Sequence, residues 1–102
     1  MQADREQVTT IRKEMGITHR EFYGELPALL EGRPYQQGKD TITFQLDRRT
    51  VEIVLGPEGS RVLSRSIRLP VTLVTLHFFG FTEDAINGFL EHFNLRFMKG
   101  GG

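Results

Sequence analysis

Five arginines in the middle of the chain are the residues best suited to chemistry, namely the binding of an anion. A guanidinium group presents a planar fork of N–H donors that can bind a phosphate or carboxylate group bidentately. Three of them fall in a stretch without any acidic residue, which runs from position 59 to position 82. The candidate anion-binding residues are Arg48, Arg49, Arg61, Arg65 and Arg68.

The same arginines have an alternative explanation as hydrated residues that protect a sheet surface and an edge strand against aggregation. The 13 basic and 13 acidic residues leave the chain without net charge, so no long-range field draws it to nucleic acid. An aromatic platform that stacks RNA bases is not evident either. We therefore favour the hydrated surface over the anion site, and the sequence argues against a nucleic-acid partner.

No pattern of residues points to a reaction. The three histidines, His19, His77 and His92, lack the short spacings that bring metal ligands together. Cysteine is absent, and the chain contains no phosphate-binding loop, dinucleotide-binding glycine motif or nucleophile elbow. The sequence predicts no catalytic residue, no cofactor and no metal, and hence a non-enzymatic protein.

The elements that must position any site are mainly strands. Thr41–Leu46 and Thr50–Leu55 alternate apolar and polar residues, and Asp47-Arg48-Arg49 between them is short enough for a hairpin turn. A third strand is expected over about Ser60–Leu69 and a fourth over Val71–Phe79. The pattern predicts an antiparallel meander of about four strands.

The fourth strand is apolar on both sides, with Pro70 before it as a bend or a connection between strands. We expect the side that carries Leu73 to face the core. The other side is then free to bind a protein partner, or a second copy in a symmetric homodimer. The candidate interface residues are Val74, Leu76 and Phe78.

Helices are predicted before and after these strands along the chain. The spacing of apolar residues over Asp4–Met15 predicts a first helix, and Thr18-His19-Arg20-Glu21 fits the capping box of a second. Pro27 should kink or restart that second helix, and Gln36–Asp40 is expected to be a loop. Together these two segments form a predicted N-terminal helical pair.

The predicted C-terminal helix packs on one face of the sheet. Thr82 is a suitable N-cap, and Asn94 is expected just past the end of the helix. Leu95–Met98 then adds a possible short final strand. The chain as a whole is predicted to be α+β, with residues 1–98 as a single domain and 99–102 as a flexible Gly-rich tail.

The tail Leu95-Arg96-Phe97-Met98-Lys99-Gly100-Gly101-Gly102 is strand-like and runs into a terminal diglycine. It resembles the ending of ubiquitin-like β-grasp proteins and small sulfur carriers, and the resemblance covers this segment only. It implies a carrier protein whose C-terminal carboxylate, here on Gly102, is activated by adenylation. A frayed terminus is the other interpretation.

Three functions follow from these observations as hypotheses. The first is a small soluble binding or adaptor domain that acts through a protein–protein surface on its sheet, with self-association as the simplest case. The others are an anion or nucleic-acid binder that uses the third strand, and the diglycine carrier. The longest apolar-rich run is too short to cross a bilayer and no signal-peptide pattern is seen, so we expect a cytoplasmic location and no membrane partner.

Overall fold

The computed structural model describes residues 7–98 of the 102-residue chain, and it confirms the α+β class. Within these residues, six strands form an antiparallel sheet and two helices cover one of its faces. In chain order the elements are β1 (Val8–Met15), α1 (His19–Leu30), β2 (Tyr35–Gln37), β3 (Thr41–Leu46), β4 (Arg49–Leu55), β5 (Gly59–Val62), β6 (Arg68–Phe79) and α2 (Glu83–Met98).

The order of strands across the sheet is β1-β6-β4-β3-β2, and β5 also pairs with β6. Leu55 of β4 lies opposite Val74, and Gly59 of β5 lies opposite Val71, so both strands run along the same side of β6. The three residues 56–58 therefore oppose only two residues of β6, which is the arrangement of a β-bulge. β5 is thus the continuation of β4 past this bulge.

The core lies between the sheet and the two helices, which run antiparallel to each other. The Phe22 ring of α1 stacks on the Phe97 ring of α2 at a centroid distance of 4.9 Å. Seven of the eight phenylalanines make ring contacts around this core, so aromatic packing dominates it. The buried apolar residues are Phe22, Leu26, Leu29, Leu30, Ile42, Phe44, Val51, Ile53, Leu55, Val74, Leu76, Phe78, Ile86, Phe89 and Phe93.

The two predicted N-caps, Thr18 and Thr82, are confirmed. The Thr18 hydroxyl accepts a hydrogen bond from the Glu21 N–H at 3.0 Å, and the Glu21 carboxylate accepts one from the Thr18 N–H at 2.9 Å. This is the reciprocal pair of a capping box. At the start of α2, the Thr82 hydroxyl accepts a hydrogen bond from the Ala85 N–H at 3.2 Å. α1 continues through Pro27 to Leu30, so the expected restart at that proline does not occur.

The first predicted helix is wrong, because Val8–Met15 is strand β1. It pairs with β6 over its whole length, from Val8 opposite Phe79 to Met15 opposite Thr72. Ile11 and Met15 are four residues apart, a spacing that puts both side chains on one face in a helix and in a strand alike. The helical pair is therefore the single helix α1, and residues 4–6 of the predicted helix lie outside the described residues.

The hairpin of β3 and β4 is confirmed, with a tighter turn than expected. Arg49 already pairs with Leu46, so only Asp47 and Arg48 form the turn. Both have positive φ angles, 57° and 69°, as a type I′ turn requires. The expected loop before this hairpin contains part of the short strand β2, whose Tyr35 lies opposite Phe44.

The predicted third strand is in fact a hairpin. It comprises β5, a turn, and the first residues of β6, with Ser60 opposite Pro70 and Val62 opposite Arg68. Pro70 therefore lies inside β6 and does not separate two strands. The turn at Ser64-Arg65-Ser66 contains no Gly, Asn or Pro, and its two serines are weaker turn signals. The sheet has six strands among the described residues instead of about four.

The predicted final strand Leu95–Met98 is also wrong, because α2 continues to Met98. Phe97 lies one helical turn after Phe93 and extends the apolar stripe of α2 onto Phe22. Asn94 consequently lies inside the helix. The predicted Gly-rich tail, residues 99–102, lies outside the described residues.

The orientation of β6 is the opposite of the predicted one. The three candidate interface residues face the helices and are fully buried. Leu73 lies on the opposite face of the sheet, which the helices do not cover and which we call the open face, and it is 46% exposed. The strand is apolar on both sides, so its sequence alone did not indicate which side is covered. The predicted interface of Val74, Leu76 and Phe78 is therefore part of the core.

Alanine substitutions in β6 test this orientation. We expect Leu76→Ala to lower the free energy of unfolding by about 2–5 kcal/mol, because it leaves a cavity in the core. Leu73→Ala, a matched truncation on the open face, should cost less than about 1 kcal/mol. Urea unfolding of both variants measures the difference, and equal losses would contradict the orientation.

The β3–β4 turn offers a second test. A residue with a Cβ atom is strained at the positive φ of Arg48, and glycine is not. We expect Arg48→Gly to raise the free energy of unfolding by about 1 kcal/mol, and Arg49→Gly, inside the strand, to lower it by a similar amount. Thermal unfolding monitored by circular dichroism distinguishes the two, and destabilisation by Arg48→Gly would count against a type I′ turn.

Candidate functional site

The hairpin of β5 and the start of β6 extends beyond the helices, and we call residues 59–71 the arm. The thirteen residues from Pro57 to Leu69 are all exposed, so no other part of the described chain covers them. The Leu63 N–H donates to the Ile67 carbonyl oxygen at 2.9 Å, which extends the ladder of the arm by one pair. The tip of the arm is the polar turn Ser64-Arg65-Ser66.

Apolar side chains are concentrated on and beside the arm. Among the described residues, eight large hydrophobic residues are exposed, and five of these lie between positions 62 and 73. Alternation along the strands places four of the five on the open face of the sheet, also called its open side. Val62 is on the opposite face, the one that carries the helices farther along the sheet, which we call the reverse side. We call these four the arm face: Leu63, Ile67, Leu69 and Leu73.

A two-stranded hairpin is at best marginally stable in water by itself. The arm nevertheless exposes 57% of Leu63 and 50% of Ile67. Edge strands that serve only a structural purpose carry charged or polar side chains on such surfaces. An exposed apolar surface beside charged residues is instead typical of an interaction site.

The arm is rooted on the first turn of α1. The His19 N–H donates to the Glu58 carboxylate at 2.9 Å, and the His19 Nε2 atom donates to the Gly56 carbonyl oxygen at 2.6 Å. The carboxylate thereby meets the positive end of the helix dipole. Both acceptors belong to the bulge between β4 and β5, so these bonds fix the point from which the arm projects.

The structure separates the five candidate arginines. Arg48 and Arg49 lie at the β3–β4 turn, at the opposite end of β4 from the arm. From Arg49 to Arg61 the chain advances twelve residues along β4 and its continuation β5. At the rise of a strand this separates the turn from Arg61 by roughly 40 Å. The candidate residues therefore do not form one anion site. The remaining three, Arg61, Arg65 and Arg68, are all on the arm.

Even the three arginines of the arm point in different directions. Arg61 is on the open side, where its Nη2 atom lies 2.6 Å from Oε1 of Glu14 on β1. Arg68 is opposite Val62 and is therefore on the reverse side. Arg65, which alternation along the predicted third strand would place on the same face as Arg61, lies in the turn. The strand register therefore does not bring any two of these three guanidinium groups together to bind one anion.

The arm and the rest of the chain carry opposite charges. Residues 59–73 contain three arginines and no acidic residue. The other described residues, 7–58 and 74–98, contain eight basic and eleven acidic residues, a net charge of −3. The chain has no net charge because a basic arm and an acidic remainder of the molecule compensate each other.

The histidines make hydrogen bonds that account for them structurally. His77 Nδ1 is 2.9 Å from the Thr10 hydroxyl oxygen across β6 and β1, and His92 Nε2 donates to the Leu29 carbonyl oxygen at 3.1 Å. In the part of the chain that the structure describes, no group of three or more potential metal ligands comes together. Nor is either described helix long and apolar enough to cross a membrane.

Comparisons with protein-family models, with curated proteins and with solved structures found no match to this chain.

Sequence reasoning missed the arm face because it merged the hairpin into one strand. A signal was nevertheless present. Ser64 and Ser66 flank Arg65 near the middle of the predicted strand, and serine is one of the residues that favour turns.

The anchoring of the arm predicts the effect of Glu58→Ala. Loss of the carboxylate leaves the N–H of His19 unpaired and removes a favourable charge at the helix start, which should cost about 1 kcal/mol. Amide hydrogen exchange in residues 59–62 should also become faster, because the root of the arm is loosened. The exposed Lys39→Ala serves as the control and should change stability by less than about 0.5 kcal/mol. Unchanged exchange in the arm would show that Glu58 does not anchor it.

Proposed function

We propose that the protein is a non-enzymatic protein-binding module and that the arm face is its working surface. The observation that carries the proposal is the run of thirteen exposed residues, Pro57–Leu69, which includes apolar side chains that nothing in the described chain covers. The binding surface thus moves from the buried residues of the sequence-based hypothesis to the arm. A location in the cytoplasm stays a prediction.

The arrangement of the arm favours a protein surface over a membrane as its target. A loop that inserts into a bilayer needs its apolar residues at the tip, whereas this tip is Ser64-Arg65-Ser66. The apolar residues lie along the side of the arm and continue to Leu73 near its base. Such a stripe suits a partner that lies flat against the arm.

The backbone of the arm offers a second means of recognition. Among the described residues, β5 pairs only with β6, so its other edge has N–H and C=O groups that no described strand pairs. A partner strand can add to such an edge through main-chain hydrogen bonds, while alternate side chains provide specificity. The arm therefore combines an apolar face with a free edge.

The anion-binding alternative has less support. Arg61 is engaged with Glu14, the arm carries no aromatic residue on which a base could stack, and Arg48 and Arg49 are remote. Carrier chemistry on Gly102 stays a prediction, since that residue lies outside the described part of the chain.

Selection from a random peptide display library tests the proposal. Peptides enriched on the wild-type protein should combine alternating apolar residues with acidic ones, which complement the arm face and its arginines. A double variant, Ile67→Ser/Leu69→Ser, should weaken the binding of a synthesised peptide at least about tenfold, which is roughly 1.4 kcal/mol. Fluorescence anisotropy measures the affinity.

Val62→Ser is the matched control, because Val62 is equally exposed but lies on the reverse side of the arm. It should leave peptide affinity unchanged, and circular dichroism verifies that each variant is folded. The proposal is wrong if no peptide is enriched, or if the enriched peptides bind the double variant as tightly as the wild type.

A further inference from the structure

The geometry and charge of the chain point to a second copy of this chain as the partner of the arm. We infer that the arm of one protomer packs on the outer surface of α1 and α2 in another, which we call the helical layer. This inference rests on the proposed role of the arm as an interaction surface, and it adds the identity of the partner and the surface that receives the arm.

Charge is the first observation that supports this pairing. The two helices contain five acidic residues and two basic ones, so the helical layer has a net charge of −3. Residues 59–73 carry +3. Although the ion pair with Glu14 compensates one of the three arginines, the opposite net charges favour the approach of a second copy, arm towards helices. The acidic residues of the helical layer are Glu21, Glu25, Glu83, Asp84 and Glu91.

An exposed leucine on α2 is the second observation. Leu95 is 69% exposed, which makes it the most exposed large hydrophobic residue of the described chain, and it is the only one of the eight that lies on a helix. Glu91 is also exposed and lies one turn earlier, on the same side of α2. The helical layer thus presents an apolar side chain beside a carboxylate.

The tip region of the arm presents the complementary pair. Leu63 and Ile67 flank the turn, and Arg65 lies between them at its tip. Leu63 and Ile67 can pack against Leu95 while the guanidinium group of Arg65 reaches Glu91. A contact of this kind buries apolar surface on both sides and pairs the two charges.

Contact between two arms is disfavoured by comparison. It would bring three arginines from each protomer together, and facing like charges cost binding energy. A contact of arm and helical layer avoids this repulsion. When each of two protomers places its arm on the other, the two contacts are equivalent and close a twofold dimer.

Charge exchange between the two surfaces tests the inference in the full-length protein. The wild type should be a dimer at low ionic strength and dissociate as salt is added. Arg65→Glu and Glu91→Arg should each raise the dimer dissociation constant about tenfold or more, because each opposes like charges. The double variant R65E/E91R should restore the wild-type dissociation constant, since the pair is re-formed with its signs exchanged. Size-exclusion chromatography with light scattering, over a series of concentrations, provides these constants.

Two further variants make the result specific. Arg48→Glu changes the charge equally at the far turn and should leave the dimer intact. Leu95→Ser removes the apolar contact on α2 without changing charge, and it should weaken the dimer as well. Circular dichroism on the same samples verifies that each variant is folded.

Each outcome bears on one of the two ideas. Restoration in the double variant supports the contact of arm and helical layer. A dimer weakened by Arg65→Glu but indifferent to Glu91→Arg and Leu95→Ser would place the arm elsewhere and overturn the inference. A monomer at all concentrations would overturn it too, and the proposed function would still stand if selected peptides bind the arm face. Failure of both experiments would refute both.

Discussion

β6 is the strand on which the arrangement of the whole sheet depends, because it pairs with β1, β4 and β5. Its side chains alternate between the two faces, so a single register decides what each neighbouring strand exposes. The helix side of β6 packs into the aromatic core, where Phe78 lies 5.8 Å from Phe89 between ring centroids. On the same side, the fully buried Thr72 donates from its hydroxyl to the Ile17 carbonyl oxygen at 2.8 Å. Because these contacts fix the orientation of β6, Leu73 and the other residues of the arm face lie on the open face.

The arm follows from the unequal lengths of the strands and the helices. Twelve residues span roughly 40 Å as the strand β6, but only roughly 18 Å as the helix α1, and the sixteen residues of α2 span roughly 24 Å. The helices therefore cannot cover the full length of the sheet. The helices stop covering the sheet at His19, where α1 is hydrogen-bonded to the bulge between β4 and β5. The part of the sheet that extends past this point is the arm. The bulge also lets β5 continue on the same side of β6 as β4.

The parts of the fold that the sequence predicted correctly are those with local signals. The capping box of α1, the N-cap of α2 and the β3–β4 hairpin all depend on residues within a few positions of each other. The errors arose where two structures share one pattern. Ile11 and Met15 fit a helix and a strand equally well, and β6 is apolar on both sides. For the candidate site, the sequence located the arginines of the arm but not its apolar face, because the hairpin of β5 and β6 was merged into one predicted strand.

The composition of the arm also indicates how strong the proposed binding can be. Fully burying one leucine or isoleucine contributes roughly 1.5–3 kcal/mol, and the four residues of the arm face are already about half covered. Covering the rest yields roughly 4 kcal/mol for one arm. This is comparable to the low end of the free-energy cost of association, which is roughly 4–15 kcal/mol. The apolar side chains of one arm therefore only roughly offset this cost, and in the proposed interaction the arginines and the apolar surface of the partner supply the rest. Because exposed charges are screened by salt, an interaction built in this way is reversible and sensitive to ionic strength.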